Sequence, residues 1–454
     1  MKSLLIATEE APRLEIICAI LNYIFKNMGL KVLLNISNLE IIPVQQKGKF
    51  KWEYEIKVKG VILPFRRIVV KIVSGSTSIT DHNVYLLDNP SLFMRYSPLY
   101  CFEETKSTFK DSNNTFVGQR AIKFIEVERR FPNAKRVMLY SAYFNVNDIG
   151  VDTASYKDLT LLKTLGVDIV TLHKGGLLGI QVPKVSSIKE LLEMYPYQEI
   201  DNMVRFSLIQ KQEEILIQAK LDKGEREGQG KVSHDPNVGK VILVAAVLRH
   251  LKYKGKIKVV SHGVEYLSPS ANTKFTNNAD FLGIYLDGVY EPKKLSTIKG
   301  DFCYPAEGEK NVSILLEQIA IKSNFQVIFV NHASGELGYI EINGVKIKVP
   351  KSMRRPDLAL FDKDSNTLFL IEAENFKNYK KGIEQLKTFK DFEKVVVEKL
   401  NIPTLKVVSG VALHGGQKDN KQKVLFNLTE DGTLYVNGKE LENWSESIKK
   451  LLVG

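Results

Sequence analysis

Apolar positions along the chain follow two rhythms. Steps of three and four at Leu14, Ile17, Leu21, Ile24 and Met28 draw one apolar face of a helix. KVLLNI, KWEYEIKVKG, RIVVKIVSG, VYLLD and PLYCFEETK come next, and such β-branched and aromatic runs predict strands. A helix over Val117 to Arg130 and a strand at RVMLYSA complete a mixed α/β unit. In the middle, Tyr195 to Leu221 reads as one long helix. The segment LDKGEREGQGKVSHDPNVG is rich in glycine and charge and reads as a loop. Asp235-Pro236-Asn237 then opens a helix at VGKVILVAAVLRHLKYKG, with proline just ahead of the helical run. IKVVSHGVEYL is a strand, and SPSANTKFTNNADFLGIY a small helix followed by a strand. The last third begins with a helix at SILLEQIAIKSN. Strands follow at QVIFVNH, YIEINGVKIKV, DLALFD and TLFLIEAE, then a helix at KNYKKGIEQLKTFKDF and a strand at TLKVVSGVAL.

This order predicts an N-terminal α/β domain over residues 1–180, a helical or mixed middle region over 181–300, and a C-terminal α/β domain over 301–454. The first and last thirds share one order of elements, although no clear sequence repeat of about 20–50 residues is visible. A chain of 454 residues exceeds a single ordinary core, which fits this division.

Charge narrows the partner. A formal net charge of +12 favours a polyanionic partner such as nucleic acid or an anionic membrane. The three cysteines, Cys18, Cys101 and Cys303, are far apart and form no CxxC pair. That argues against a zinc ribbon or a disulfide framework and fits a reducing cytoplasm. Glu9 and Glu10 cut off the opening apolar run, so no signal peptide is expected. No run of about 18 apolar residues occurs, so no membrane span is expected. GEREGQGK lacks the spacing of a phosphate-binding Gly-rich loop, which argues against ATP-driven chemistry. VALHGG has no Gly-x-Ser-x-Gly partner to make a hydrolase of it.

The chemistry concentrates near the C-terminus. Asp357 begins one strand, and Glu372 and Glu374 lie on the next, joined by the polar turn 363–366. Alternation along a strand puts Glu372 and Glu374 on one face. Both interrupt the apolar run LFLI, and carboxylates avoid such surroundings unless paired or bound to a metal. Hard oxygen ligands suit Mg²⁺, and Mg²⁺ beside a phosphate suits phosphodiester hydrolysis.

The sequence Pro356-Asp357, an apolar strand with Glu372-Ala373-Glu374, and an amphipathic helix with Gln385 resembles the PD-(D/E)xK nuclease superfamily, which contains most type II restriction endonucleases. The resemblance covers about 110 residues, from Glu307 to Leu413. It implies a restriction-endonuclease-like sheet flanked by helices, Mg²⁺ held by Asp357 and Glu372, and catalysis by Asp357, Glu372 and Glu374. The family's last position is usually lysine; here it is Glu374, and Lys377, Lys380 or Lys381 would supply the positive charge. Glu317 is where the family often carries a further carboxylate.

A second constellation stands in the first third. Asp88 ends VYLLD, and Glu104-Thr105-Lys106 ends LYCFEETK, with the lysine present and no proline before the aspartate. This too resembles the PD-(D/E)xK core, over about residues 10–145. It implies metal ligation by Asp88 and Glu104, with Lys106 acting on the attacking water or the phosphate. The fold expected is therefore two such modules joined by a helical middle region, either both active or one active module paired with a degenerate DNA-reading module. Gln119, Arg120, Lys231, His234, Asn237, Arg354 and Arg355 are candidate contacts to double-stranded DNA. The function these resemblances imply is a cytoplasmic, Mg²⁺-dependent, sequence-specific double-strand DNA endonuclease of a restriction-modification system, working as a homodimer or as a monomer with two active sites. Two other readings stay open: a DNA-binding or regulatory protein with a degenerate nuclease fold, and a DNA repair nuclease.

Overall fold

The computed structural model of the chain describes residues 1–8, 13–46, 49–74, 80–104, 110–140, 153–173, 176–179, 181–201, 204–221, 225–226, 230–231, 237–262, 269–287, 304–305, 308–323, 325–330, 339–350, 353–416, 423–430, 432–437, 441 and 444. It is mixed α/β, with several sheets and flanking helices.

The N-terminal elements are β1 (Ser3–Thr8), α1 (Leu14–Asn27), β2 (Leu39–Gln46), β3 (Lys49–Val58), β4 (Ile68–Ser74), β5 (His82–Leu87), β6 (Tyr100–Glu104), α2 (Lys110–Arg130), β7 (Lys135–Tyr140), α3 (Thr153–Thr164), β8 (Asp168–His173) and β9 (Gly176–Gly179). The strands form one sheet in the order β2-β3-β4-β1-β5-β6-β7-β8-β9. One face packs on α1 through Leu4, Ile6, Val84, Phe102 and Val137. Leu5, Ala7, Tyr85 and Cys101 point to the other face, where they meet Val127 of α2. β1 is buried at every position. The sequence reading took SLLIAT only as a short apolar opening, because an all-buried central strand shows no alternation. KVLLNI, expected as a strand, forms no strand. Its Leu34 carbonyl and N–H bond the Asn22 side chain of α1 instead, so a tertiary partner replaces a ladder.

The middle holds α4 (Ile188–Met194), β10 (Phe206–Lys211), β11 (Glu214–Lys220), β12 (Glu225–Arg226), β13 (Gly230–Lys231), α5 (Asn237–His250), β14 (Lys256–His262), α6 (Pro269–Leu282) and β15 (Ile284–Asp287). Its main sheet runs β10-β11-β14-β15. The long helix expected over Tyr195 to Leu221 is absent: α4 ends before it, and the antiparallel hairpin β10–β11 takes its place. Leu208, Ile215, Ile217 and Ala219 are buried at period two along the strands, which is strand spacing. The hairpin turns at Gln212 with φ +49° and carries none of the glycine or asparagine that usually marks such a turn. α5 is buried along nearly its whole length and shares one core with α2, α3 and this sheet.

The C-terminal elements are β16 (Tyr304–Pro305), which pairs with β4, then α7 (Gly308–Lys322), β17 (Gln326–Val330), β18 (Tyr339–Ile342), β19 (Val345–Lys348), β20 (Leu358–Asp362), β21 (Thr367–Asn375), α8 (Tyr379–Leu386), α9 (Lys390–Leu400), β22 (Lys406–His414), β23 (Val424–Leu428) and β24 (Leu434–Val436). Their sheet runs β17-β20-β21-β22-β23-β24. α7 and Trp444 cover one face through Phe369, Ile371 and Ala373. α9 covers Leu368 and Leu370 on the other, and Val411 and Leu413 on that side meet Leu386 of α8. The single helix expected over KNYKKGIEQLKTFKDF is two, α8 and α9.

Candidate active site

The C-terminal cluster sits where β20 starts and β21 ends. β20 and β21 are antiparallel with Leu358 opposite Ile371, so Asp357, one residue earlier, faces Glu372. The Asp357 Oδ2 accepts the Ala373 N–H at 2.9 Å, and the Asp357 backbone N–H donates in return to the Glu372 carboxylate. Glu372 and Glu374 share the face of Leu368 and Leu370, as alternation requires. Both are buried, at 5% and 1% exposure, although the strand around them is apolar. Lys381 of α8 reaches Glu374 Oε1 at 2.6 Å, and Gly382 beside it lets α8 approach: a Cβ there would stand 3.2 Å from Glu374 Cγ.

These carboxylates are under-compensated. Glu372 Oε2 and Glu374 Oε2 are buried without a hydrogen-bond partner. Burial, then the negative charges of Asp357 and Glu374, push Glu372 up to about 9; a carboxylate loses hydration and gains like-charged neighbours there. Among the described residues, no three His, Cys, Asp or Glu side chains form a preformed cation cage, so the carboxylates adjoin without closing around a point. A hard divalent cation still fits the donor set. It is all oxygen, it carries two orphaned buried carboxylate oxygens, and its Lys381 ion pair is at Glu374 Oε1.

Other expected members fall outside this cluster. Glu317 lies near Tyr54 of β3 and, with burial, raises its hydroxyl. Glu309, at the start of α7, is the carboxylate that comes near: it accepts from Asn375 Nδ2 at 3.3 Å. Lys377 and Lys380 are exposed. Gln385 Oε1 is buried without a partner. Arg355 is spent on the backbone, donating to the Pro350 carbonyl at 2.9 Å and lying over the Phe329 ring. Arg354 is exposed.

The N-terminal cluster differs from expectation. Asp88 does not join Glu104. β5 and β6 are antiparallel with His82 opposite Phe102, so Glu104 lies beside the start of β5, while Asp88 is exposed past its end. Six residues of strand put them about 20 Å apart. The aspartate in place is Asp81, whose Oδ2 accepts the Glu104 N–H at 2.8 Å. Its own N–H donates to Glu103 Oε2 at 3.1 Å. The missed signal was in the C-terminal pattern itself, because Asp357 precedes its strand and only Asp81 precedes HNVYLL. Lys106 and His234 lie outside the described residues.

Arg120, expected at DNA, is buried under α2. It bonds Glu103 and stands 3.4 Å from Asp81 Oδ2. Lys123 is 2.8 Å from Glu103 and 3.5 Å from Asp81, and Arg13 pairs with Glu104 at 2.5 Å. Asn237 is a structural tie as well, donating to the Arg205 and Lys220 carbonyls at 3.1 and 2.9 Å. Of Gln119 and Lys231 only the backbone is described, in α2 and β13.

Comparison of the chain with protein-family models, with curated proteins and with solved structures found no match.

Proposed function

We propose that this chain is a Mg²⁺-dependent endonuclease acting on double-stranded DNA, of the type II restriction class, with its catalytic centre at Asp357, Glu372 and Glu374. The observation that carries this reading is the under-compensated, buried carboxylate pair Glu372 and Glu374 beside Asp357. A fold tolerates such a pair when a cation completes it. Asp357 and Glu372 would hold Mg²⁺, and Glu374, kept in place by Lys381, would complete the oxygen set. When bound, Mg²⁺ supplies Lewis-acid polarisation of a phosphoryl oxygen and a lowered pKa for nearby water.

The chain's own groups then have defined tasks. The Ala373 N–H fixes the Asp357 rotamer. Glu372 would give up its proton on holding a cation, so cation affinity would rise with pH. Lys381 brings the ammonium that the third motif position lacks. The net charge of +12 draws the polyanion by releasing its counterions.

The test is direct. Purified chain is incubated with supercoiled plasmid at about 10 mM Mg²⁺, near the free-ion range where weak carboxylate sites fill, and in parallel with excess EDTA. Nicked or linear product only with Mg²⁺, at fixed positions, is expected. Intact plasmid that is nevertheless bound would replace this reading with a DNA-binding protein, and cleavage at scattered positions would point to a repair-type nuclease.

A further inference from the structure

The two clusters occupy equivalent places in equivalent modules. In chain order β1, β5, β6, β7, β8 and β9 correspond to β17, β20, β21, β22, β23 and β24. The pairings agree one for one. β1–β5 and β5–β6 are antiparallel, like β17–β20 and β20–β21. β6–β7 and β7–β8 are parallel, like β21–β22 and β22–β23. β8–β9 and β23–β24 close each series antiparallel. The crossover helix α2 packs on the Glu103 face and α8–α9 on the Glu372 face, with α1 and α7 on the opposite faces. Each pre-strand aspartate exchanges the same two bonds with the facing strand: Asp81 with Glu103 and Glu104, Asp357 with Glu372 and Ala373. Register therefore equates Asp81 with Asp357 and Glu103 with Glu372.

What differs is the positive charge. At the N-terminal cluster, Arg120 and Lys123 of α2 both contact Asp81 and Glu103, while Arg13 pairs with Glu104, which register equates with Ala373 and alternation turns to the opposite face. The buried His82 ring nitrogens, 3.9 Å from Glu104 at the nearest, make no hydrogen bond. At the C-terminal cluster Lys381 of α8 pairs with Glu374 Oε1 at 2.6 Å.

We propose that the N-terminal core is a second copy of the C-terminal module whose cation place has been filled from within. Arg120 and Lys123 stand where a divalent ion would bridge Asp81 and Glu103, so this copy takes no metal and performs no hydrolysis. One chain then has one divalent-cation centre and hydrolyses one strand at a time. The count of one rests on the nuclease reading of the C-terminal cluster; the filling of the N-terminal place does not.

Calorimetric titration of the full chain with Mn²⁺, a hard-ligand stand-in for Mg²⁺, separates the two. Mn²⁺ binding by the wild type should vanish in Glu372→Gln and persist unchanged in Glu103→Gln. The double variant Arg120→Gln/Lys123→Gln should gain a Mn²⁺ site and a Mn²⁺-dependent rise in Tm, both removed by adding Glu103→Gln. Wild-type Mn²⁺ binding that is lost in Glu103→Gln overturns the proposal, and so does a folded double variant that gains no site. Should that variant fail to fold, Lys123→Gln alone carries the same test. A wild type that binds no Mn²⁺ would end the nuclease reading, while a site gained in the variant would still uphold the filled place.

Discussion

Around Asp81 and Glu103 the fold supplies Arg120 and Lys123; beside Asp357 and Glu372 it supplies Lys381, paired with the neighbouring Glu374. The strands, their pairings and the backbone bonds to the aspartates are the same. Taking a carboxylate out of water is costly, and a protein meets that cost with a partner or with a proton. The N-terminal module uses partners. In the C-terminal module burial and the neighbouring carboxylates push the Glu372 carboxyl up, towards its protonated form. A site satisfied by its own cations is a structural tie; a site holding a displaceable proton is a place for a ligand. The carboxylates that register equates, Asp81 with Asp357 and Glu103 with Glu372, thus meet different partners on the crossover helix.

The largest effect expected from breaking this comparison is on cleavage. Glu372→Ala should lower the plasmid cleavage rate at least about a thousandfold, since several kcal/mol of charge stabilisation would be lost. DNA binding, measured by gel shift, should stay within a few fold. Full cleavage by this variant would remove the C-terminal centre. Arg120→Ala should act on stability instead. It leaves Glu103 and Asp81 with Lys123 as their remaining α2 cation, at a cost of about 3 kcal/mol, read as a lower urea midpoint at unchanged slope. A neutral outcome would mean that the N-terminal charges are not coupled as their distances indicate.

The proton on Glu372 gives the third prediction. Its folded pKa of about 9 lies above an ordinary glutamate value near 4.3, so between those values the folded chain binds a proton that the unfolded chain has released. The metal-free protein should therefore lose stability as pH rises through this window, by at most about 1.4 kcal/mol per pH unit. Glu372→Gln should flatten that slope, and Glu103→Gln should not. An equal slope in wild type and Glu372→Gln would show that the carboxyl is ionised before folding is complete. The smallest effect is expected from Lys381→Ala. Its side chain is largely exposed, so the pair contributes about 0–1 kcal/mol to stability, while cleavage should fall because Glu374 is no longer held. Unchanged cleavage would leave Lys381 a surface pair.

Much of the C-terminal cluster was legible in the chain. Asp357 before DLALFD, and Glu372 and Glu374 inside LFLIEAE, are carboxylates where an alternating strand should be apolar, and one hairpin relates them. The N-terminal cluster was only half legible. Asp88 closes an apolar run and so draws attention, but antiparallel pairing puts the start of β5, with Asp81, beside the end of β6. Arg120 reads as a surface cation on a helix that follows an acidic strand. Its burial depends on which face α2 turns to the sheet, and single-residue patterns do not specify that. The hairpin β10–β11 was missed because its turn at Gln212 lacks turn chemistry and because FSLIQK and EILIQAK also tolerate a helical spacing.

By itself, then, the sequence determined many of the element types, the mixed α/β class and the acidic positions that burial would make costly, because these depend on local periodicity and on the chemistry of single side chains. Only the tertiary structure decided which aspartate meets which glutamate, that β1 lies at the centre of its sheet, and which carboxylates find a cation. Those outcomes depend on strand register and on the rotation of α2 and α8 over the sheet. Both are set by packing between segments far apart in the chain, where a shift of one residue moves a side chain to the opposite face.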